Sequence, residues 1–121
     1  MDPKAAKDQN AYLYDMMESA RAICRYMDGV AFDQFWDNAE KRDAVAMRIA
    51  AIGDAARNVN KATEATIPAV PFQNIRGMRN RIAHDYGKVD FREVWMVAEK
   101  DIKPLISALE EYFAKHGTPS V

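Results

Sequence analysis

Residues 79–86 read RNRIAHDY: two arginines, an asparagine, a histidine, an aspartate and a tyrosine, with only Ile82 and Ala83 apolar. These side chains suit phosphodiester chemistry. Arginine presents a fixed fork of donors to phosphate oxygens. Histidine titrates near neutrality and can move protons. In RNA the 2′-hydroxyl can attack its own phosphate. Such a reaction needs the hydroxyl oriented, protons transferred and charge on the phosphate stabilised, and it requires no metal. The surroundings are basic. From Arg76 to Arg92 the cations are Arg76, Arg79, Arg81, Lys88 and Arg92, against Asp85 and Asp90. Such a face attracts phosphate.

The spacing constrains how these groups meet. On a helix at about 100° per residue, Ile75, Met78 and Ile82 form a core stripe, with Arg79 at its edge. Arg79 and His84 then stand about 140° apart and do not face each other. Asn80 and His84, four apart, share a face. Tyr86 returns towards Arg79 if the helix persists that far. Two arrangements unite Arg79 with His84: the helix unwinds near His84, or the two meet across a symmetric partner. Proton transfer needs an acid as well as a base, and one chain supplies a single histidine in this stretch. A two-fold dimer supplies two, with paired arginines, in one cleft.

Helical periodicity dominates the rest of the chain. Leu13, Met16, Met17, Ala20, Ile23, Cys24 and Met27 predict a helix from about Lys4 to Met27, ended by Asp28-Gly29. Phe32, Phe35 and Trp36 form a short aromatic corner. Val45, Ile49, Ile52, Ala56 and Val59 predict a second long helix, capped at Asp37 or Asn38 and running to about Ala62. The stretch TEATIPAVPF, with two prolines, reads as a loop. A third helix begins near Phe72, with a break at Tyr86–Val89. Asp90 and Glu93 have capping-box spacing ahead of a last helix from Phe91 to about Lys115, which Pro104 should kink or divide. No segment alternates as a strand does. The expectation is a single all-α domain over residues 1–121, an antiparallel bundle of four main helices plus short helical segments.

Composition bounds the setting. The 121 residues are 49% apolar, enough for a packed core. One cysteine, Cys24, cannot pair internally and fits a reducing compartment. The N-terminus lacks the apolar run of a signal peptide, and no stretch is apolar enough to cross a bilayer. The expected location is cytoplasmic. A net charge of -1 excludes a generic nucleic-acid coat. Two distant histidines and one cysteine make no metal-ligand cluster, and no cofactor is expected. His116 lies in a polar tail and reads as a surface residue. The methionines fall mostly on apolar stripes and read as core filler. No short helix-turn-helix with a basic recognition helix is present, which disfavours a transcriptional regulator.

The pattern R-x-x-x-x-H-x-Y, here Arg79, His84 and Tyr86, resembles the signature of HepT-like toxins in the HEPN superfamily of helical ribonucleases. The flanks resemble the family too. They include IGDAARNV from Ile52, with Asp54 where Glu is usual, FWD at Phe35–Asp37, and Ala44-Val45. VPFQNIRGMRN carries Phe72 in place of the usual tryptophan. VDFREVWMV and DIKPLISAL match the final helix, including Trp95 and Pro104. The likeness covers roughly residues 10–113.

The resemblance implies a HEPN-like fold and a homodimer whose paired motifs line one cleft. It implies a metal-independent endoribonuclease, the toxin of a type II toxin–antitoxin pair. The neighbouring gene would encode a minimal nucleotidyltransferase antitoxin of the MntA-like kind, able to attach AMP to the motif tyrosine. Carried over, Arg79 and His84 are catalytic, Asn80 supports the site, and Tyr86 is the modified residue. Arg76 and Arg81 are candidate RNA contacts, and Asp54 supplies a carboxylate near the site. The competing reading is a non-catalytic helical partner of a nucleotidyltransferase.

Overall fold

The computed structural model describes residues 3–84 and 86–119, with side chains from residue 9 onward apart from those of His84 and Tyr86. All elements among them are helical: α1 (Pro3–Met27), α2 (Phe32–Trp36), α3 (Ala39–Ala56), α4 (Lys61–Ala65), α5 (Phe72–His84), a 3-10 turn (Tyr86–Lys88), α6 (Phe91–Lys100) and α7 (Ile102–His116). The fold is the expected all-α, HEPN-like bundle. Helix α3 lies at its centre, packed against α1 on one side and α5 on another, and α7 covers α1. Gln9 near the start of α1 bonds Asn58 beyond the end of α3, while Lys41 near the start of α3 bonds the carbonyl of Tyr26, so α1 and α3 run antiparallel.

The apolar stripes explain this packing. Leu13, Met16, Ala20 and Ile23 of α1, Val45 and Ala46 of α3, and Leu109 of α7 are fully buried in one core. Burying each large side chain is worth about 1.5–3 kcal/mol. Helix α1 ends at Gly29, whose φ of +69° is left-handed and suits glycine. Asn38 caps α3 by accepting from the Lys41 amide at 3.0 Å. Phe35 is buried and meets the Trp95 ring, which pins the α2 corner onto α6. Four methionines (Met16, Met17, Met27 and Met78) are core filler, but Met47 and Met96 are exposed.

Two stretches differ from the sequence expectation. Helix α3 stops at Ala56 and not near Ala62. The Gln9 side chain explains this, because its amide donates to the Asn58 carbonyl and accepts from the Asn60 N–H, both at 2.8 Å. It thus replaces helical partners with bonds from a distant segment, while Val59 stays buried. Asn60 then caps α4, so Thr63 to Ala65 are helical where a loop was expected. The last helix is divided, as Pro104 led us to expect, with the break at Asp101 between α6 and α7. Pro104 has no N–H to give the Lys100 carbonyl, and its ring would clash there. It therefore sits in the first turn of α7. The Asp90 cap is half a capping box: Asp90 accepts from the Arg92 and Glu93 amides, but the Glu93 side chain turns to Arg81.

Candidate active site

Glycine 53 is the structural root of the site. It lies in α3 where α5 crosses. A Cβ built on it would fall 2.1 Å from the Arg79 Cβ and 3.1 Å from the Ile75 carbonyl oxygen, so no larger residue fits without displacement. Glycine in a helix interior is disfavoured by about 1 kcal/mol against alanine, and here the close approach explains its presence. Further along the same crossing, Arg76 of α5 meets the Ala56 carbonyl at 3.3 Å. Residues 76 and 79 pair with 56 and 53, so α5 runs antiparallel to α3.

The approach places Arg79 beside the residue that follows the glycine. The Arg79 Nε donates to Asp54 Oδ1 at 2.5 Å. Its Nη1 makes a longer contact of 3.4 Å with Asn80 Oδ1. The Arg79 side chain is 20% exposed and that of Asp54 56% exposed, so the pair sits at the surface with the arginine the more enclosed partner. Held by Nε, the guanidinium has a defined plane, and Nη2 makes no hydrogen bond among the described residues. That edge is left to accept an anionic ligand.

The other arginines of the stretch go elsewhere. Arg76 pairs with Glu64 of α4 as well as with the Ala56 carbonyl. It ties three elements together and complements the negative end of α3. Arg81 pairs with Glu93 of α6 at 2.6 Å and stays 58% exposed. A groove of about 550 Å³ opens beside Arg81 and Glu93, along Met78, Val97 and Leu105, and neither Arg79 nor Asp54 lines it. The structure thus brings Asp54, Arg79 and Asn80 together, and sends Arg76 and Arg81 to other faces.

His84 and Tyr86, the residues expected to act in catalysis and modification, are placed by backbone alone. Helix α5 continues through His84, one turn beyond Asn80, and Tyr86 opens the 3-10 turn. The side chains of His84 and Tyr86 lie outside the described residues. A helix unbroken to His84 keeps the backbone positions of Arg79 and His84 about 140° apart around its axis.

Comparison with known proteins resolves what this arrangement belongs to. Residues 16–112 match the family model described as Ribonuclease HepT-like. The chain belongs to the HepT-like ribonuclease family. Membership makes it, by class, an enzyme of RNA phosphodiester cleavage. A Methanocaldococcus jannaschii protein named as a candidate RNase is 29% identical over 104 residues, which is 86% of this chain and 95% of that one. A candidate RNase of Caldanaerobacter subterraneus is 26% identical over 109 residues, covering 90% and 97% of the two chains. A Thermococcus cleftensis protein named as a candidate ribonuclease HepT is 27% identical over 100 residues, covering 83% and 91%. No solved structure matches. No helix of the described residues is long and apolar enough to cross a membrane.

Sequence reasoning missed Gly53. Its signal was a lone glycine inside the helical run AVAMRIAAIGDAA, beside an acidic residue already noted.

Proposed function

We propose that this HepT-like chain is the toxin of a type II toxin–antitoxin pair and cleaves RNA internally, without a metal, in a cleft formed by two copies. The observation that carries the reading is the Arg79 guanidinium, held at Nε by Asp54, with no partner for Nη2 among the described residues, on the helix that carries His84. A scissile phosphate would take its oxygens to Arg79. One His84 would accept the proton of the 2′-hydroxyl as that oxygen bonds to phosphorus. The partner's His84 would give a proton to the 5′-oxygen as its bond to phosphorus breaks. The products are a 2′,3′-cyclic phosphate and a free 5′-hydroxyl.

The unbroken α5 supports the two-copy arrangement. One chain keeps its Arg79 and His84 backbone positions on different faces, and a two-fold axis offers a way to combine them. Asn80 lies between them in sequence and would steady Arg79 from the other side. A nucleotidyltransferase antitoxin would silence the site by attaching AMP to Tyr86, two residues past His84.

The test is cleavage of a defined RNA by purified protein in excess chelator, with light scattering on the same sample. The reading expects a dimer, cyclic-phosphate ends, and no cleavage by His84→Ala. Equal cleavage by that variant, or an active monomer, would overturn it.

A further inference from the structure

A second cluster of arginine and aromatic side chains lies away from Arg79. Trp36, the last residue of α2, is 38% exposed. Its ring stacks on Phe32 with centroids 5.6 Å apart and planes 27° from parallel. The guanidinium of Arg42, from α3, lies 5.8 Å from the Trp36 centroid, and that of Arg92, from α6, lies 5.7 Å from it. Arg42 also lies 5.0 Å from the Phe91 ring. Neither arginine forms an ion pair among the described residues. The Arg42 Nε is buried without a hydrogen-bond partner, held among the rings.

This is more than core packing requires. The core role of the corner falls to Phe35, which is fully buried, while Trp36 keeps a polarizable ring in solvent. Three separate helices converge on that ring, and the two guanidiniums sit on it loosely, beyond direct stacking distance. Asp33 and Asp37 flank Trp36 on the same short segment, so the patch does not simply collect phosphates. An exposed aromatic beside arginines without carboxylate partners suits a flat, hydrogen-bonding, weakly charged group. An unpaired nucleobase is such a group.

We propose that Trp36, Arg42 and Arg92 form a stacking site for an unpaired base of single-stranded RNA, outside the cleavage centre. The base extends the Phe32–Trp36 stack, and the guanidiniums turn to its edge and its phosphate. Twelve residues of α3 separate Arg42 from Asp54, about 18 Å along the helix axis. The site therefore grips a strand several nucleotides from the bond that is cut, and selects unpaired RNA over duplex. It rests on the ribonuclease reading for its biological role, but its binding is measurable without catalysis.

The probe is a 2′-O-methyl oligoribonucleotide, which lacks the attacking hydroxyl and stays intact. With Trp95→Phe in place, Trp36 is the sole tryptophan, and stacking should quench its emission on titration. The difference between wild type and Trp36→Phe gives the same signal should Trp95→Phe perturb the fold. Arg92→Gln, a change at an exposed position, should weaken the quenching. Trp36→Ala should weaken binding about ten-fold or more. That loss should hardly vary with salt, because stacking releases few counterions. With cleavable single-stranded RNA, Trp36→Ala should raise KM far more than it lowers kcat.

Unchanged emission together with unchanged KM overturns the stacking site, even if RNA is cleaved and the ribonuclease reading stands. Quenching by a duplex as strong as by a single strand also overturns it. Quenching by the oligonucleotide, lost in Arg92→Gln, upholds the site even if no RNA is cleaved and the ribonuclease reading falls.

Discussion

The side chain of Arg79 begins where a side chain on Gly53 would have to be. The Arg79 Cβ lies 2.1 Å, and its Cγ 2.8 Å, from the position of a Cβ on Gly53. Absence of one methyl group on α3 thus admits the root of the arginine on α5, and Asp54 receives its Nε.

Gly53→Ala should therefore impair activity more than stability. Alanine gains about 1 kcal/mol in helix propensity. Overpacking against Arg79 and the Ile75 carbonyl costs about 1–3 kcal/mol. The net change should be a modest loss, read as a slightly lower melting temperature. Cleavage should fall much further, because α5 must shift and Arg79 with it. Activity falling only as far as the folded fraction would show that the approach is purely structural.

Asp54 should act through orientation. Asp54→Asn keeps an oxygen that can accept from Nε, so cleavage should stay within a few-fold of the native rate. Asp54→Ala removes the acceptor and should lower kcat about ten-fold or more, on the scale of lost positioning. Both should change stability by less than about 1 kcal/mol, since the carboxylate is exposed. Equal rates for the asparagine and alanine variants would remove Asp54 from the site.

At Arg79 itself, lysine should not replace arginine. Lysine keeps the charge but loses the fork, so it cannot grip Asp54 and a phosphate in one plane. Arg79→Lys should retain RNA binding at low salt and cleave poorly, whereas Arg79→Ala should lose both. Filter binding and single-turnover cleavage separate the two. A fully active Arg79→Lys would reduce the arginine to a point charge.

Gln9 should matter for folding and not for chemistry. Gln9 is 9% exposed, and its amide satisfies two part-buried backbone groups across the α3–α4 connection. Gln9→Ala should destabilise by about 1–3 kcal/mol, the usual result of stranding buried polar groups. Urea denaturation measures this, and kcat of the folded protein should be unaltered.

Tyr86 should carry the regulatory modification. Incubated with ATP and the proposed nucleotidyltransferase antitoxin, the native chain should gain the mass of AMP on the peptide containing Tyr86 and lose cleavage. A bulky anion there would compete with RNA phosphate for Arg79. Tyr86→Phe should fold, escape the mass gain and resist silencing. Silencing of an unmodified chain would mean that the antitoxin acts by contact alone.

Much of the fold could be read from residues three and four apart. The stripe from Leu13 to Met27 places α1 and its buried face, and Gly29 ends it. Val45, Ile49 and Ile52 place α3, and the stretch from Arg79 to His84 lies on α5 as its periodicity predicts. These patterns are legible because helical facing repeats within one turn of the same segment. The same regularity concealed the end of α3. Val59 keeps the stripe going although the helix has stopped, and the cause, Gln9, lies 49 residues away from Asn58 in the chain.

The motif singles out Arg79 in the sequence, but which partner each arginine meets was decided only in three dimensions. By residue type alone Arg76, Arg79 and Arg81 are near equivalents. Packing gives Arg76 to Glu64, 12 residues back, Arg81 to Glu93, 12 residues on, and Arg79 to Asp54, 25 residues back. The division rests on where α5 crosses α3, and that crossing rests on the missing Cβ of Gly53. Periodicity assigns a residue to a face of its own helix. The neighbour that face meets depends on how closely two backbones can approach, which steric contact between distant segments determines.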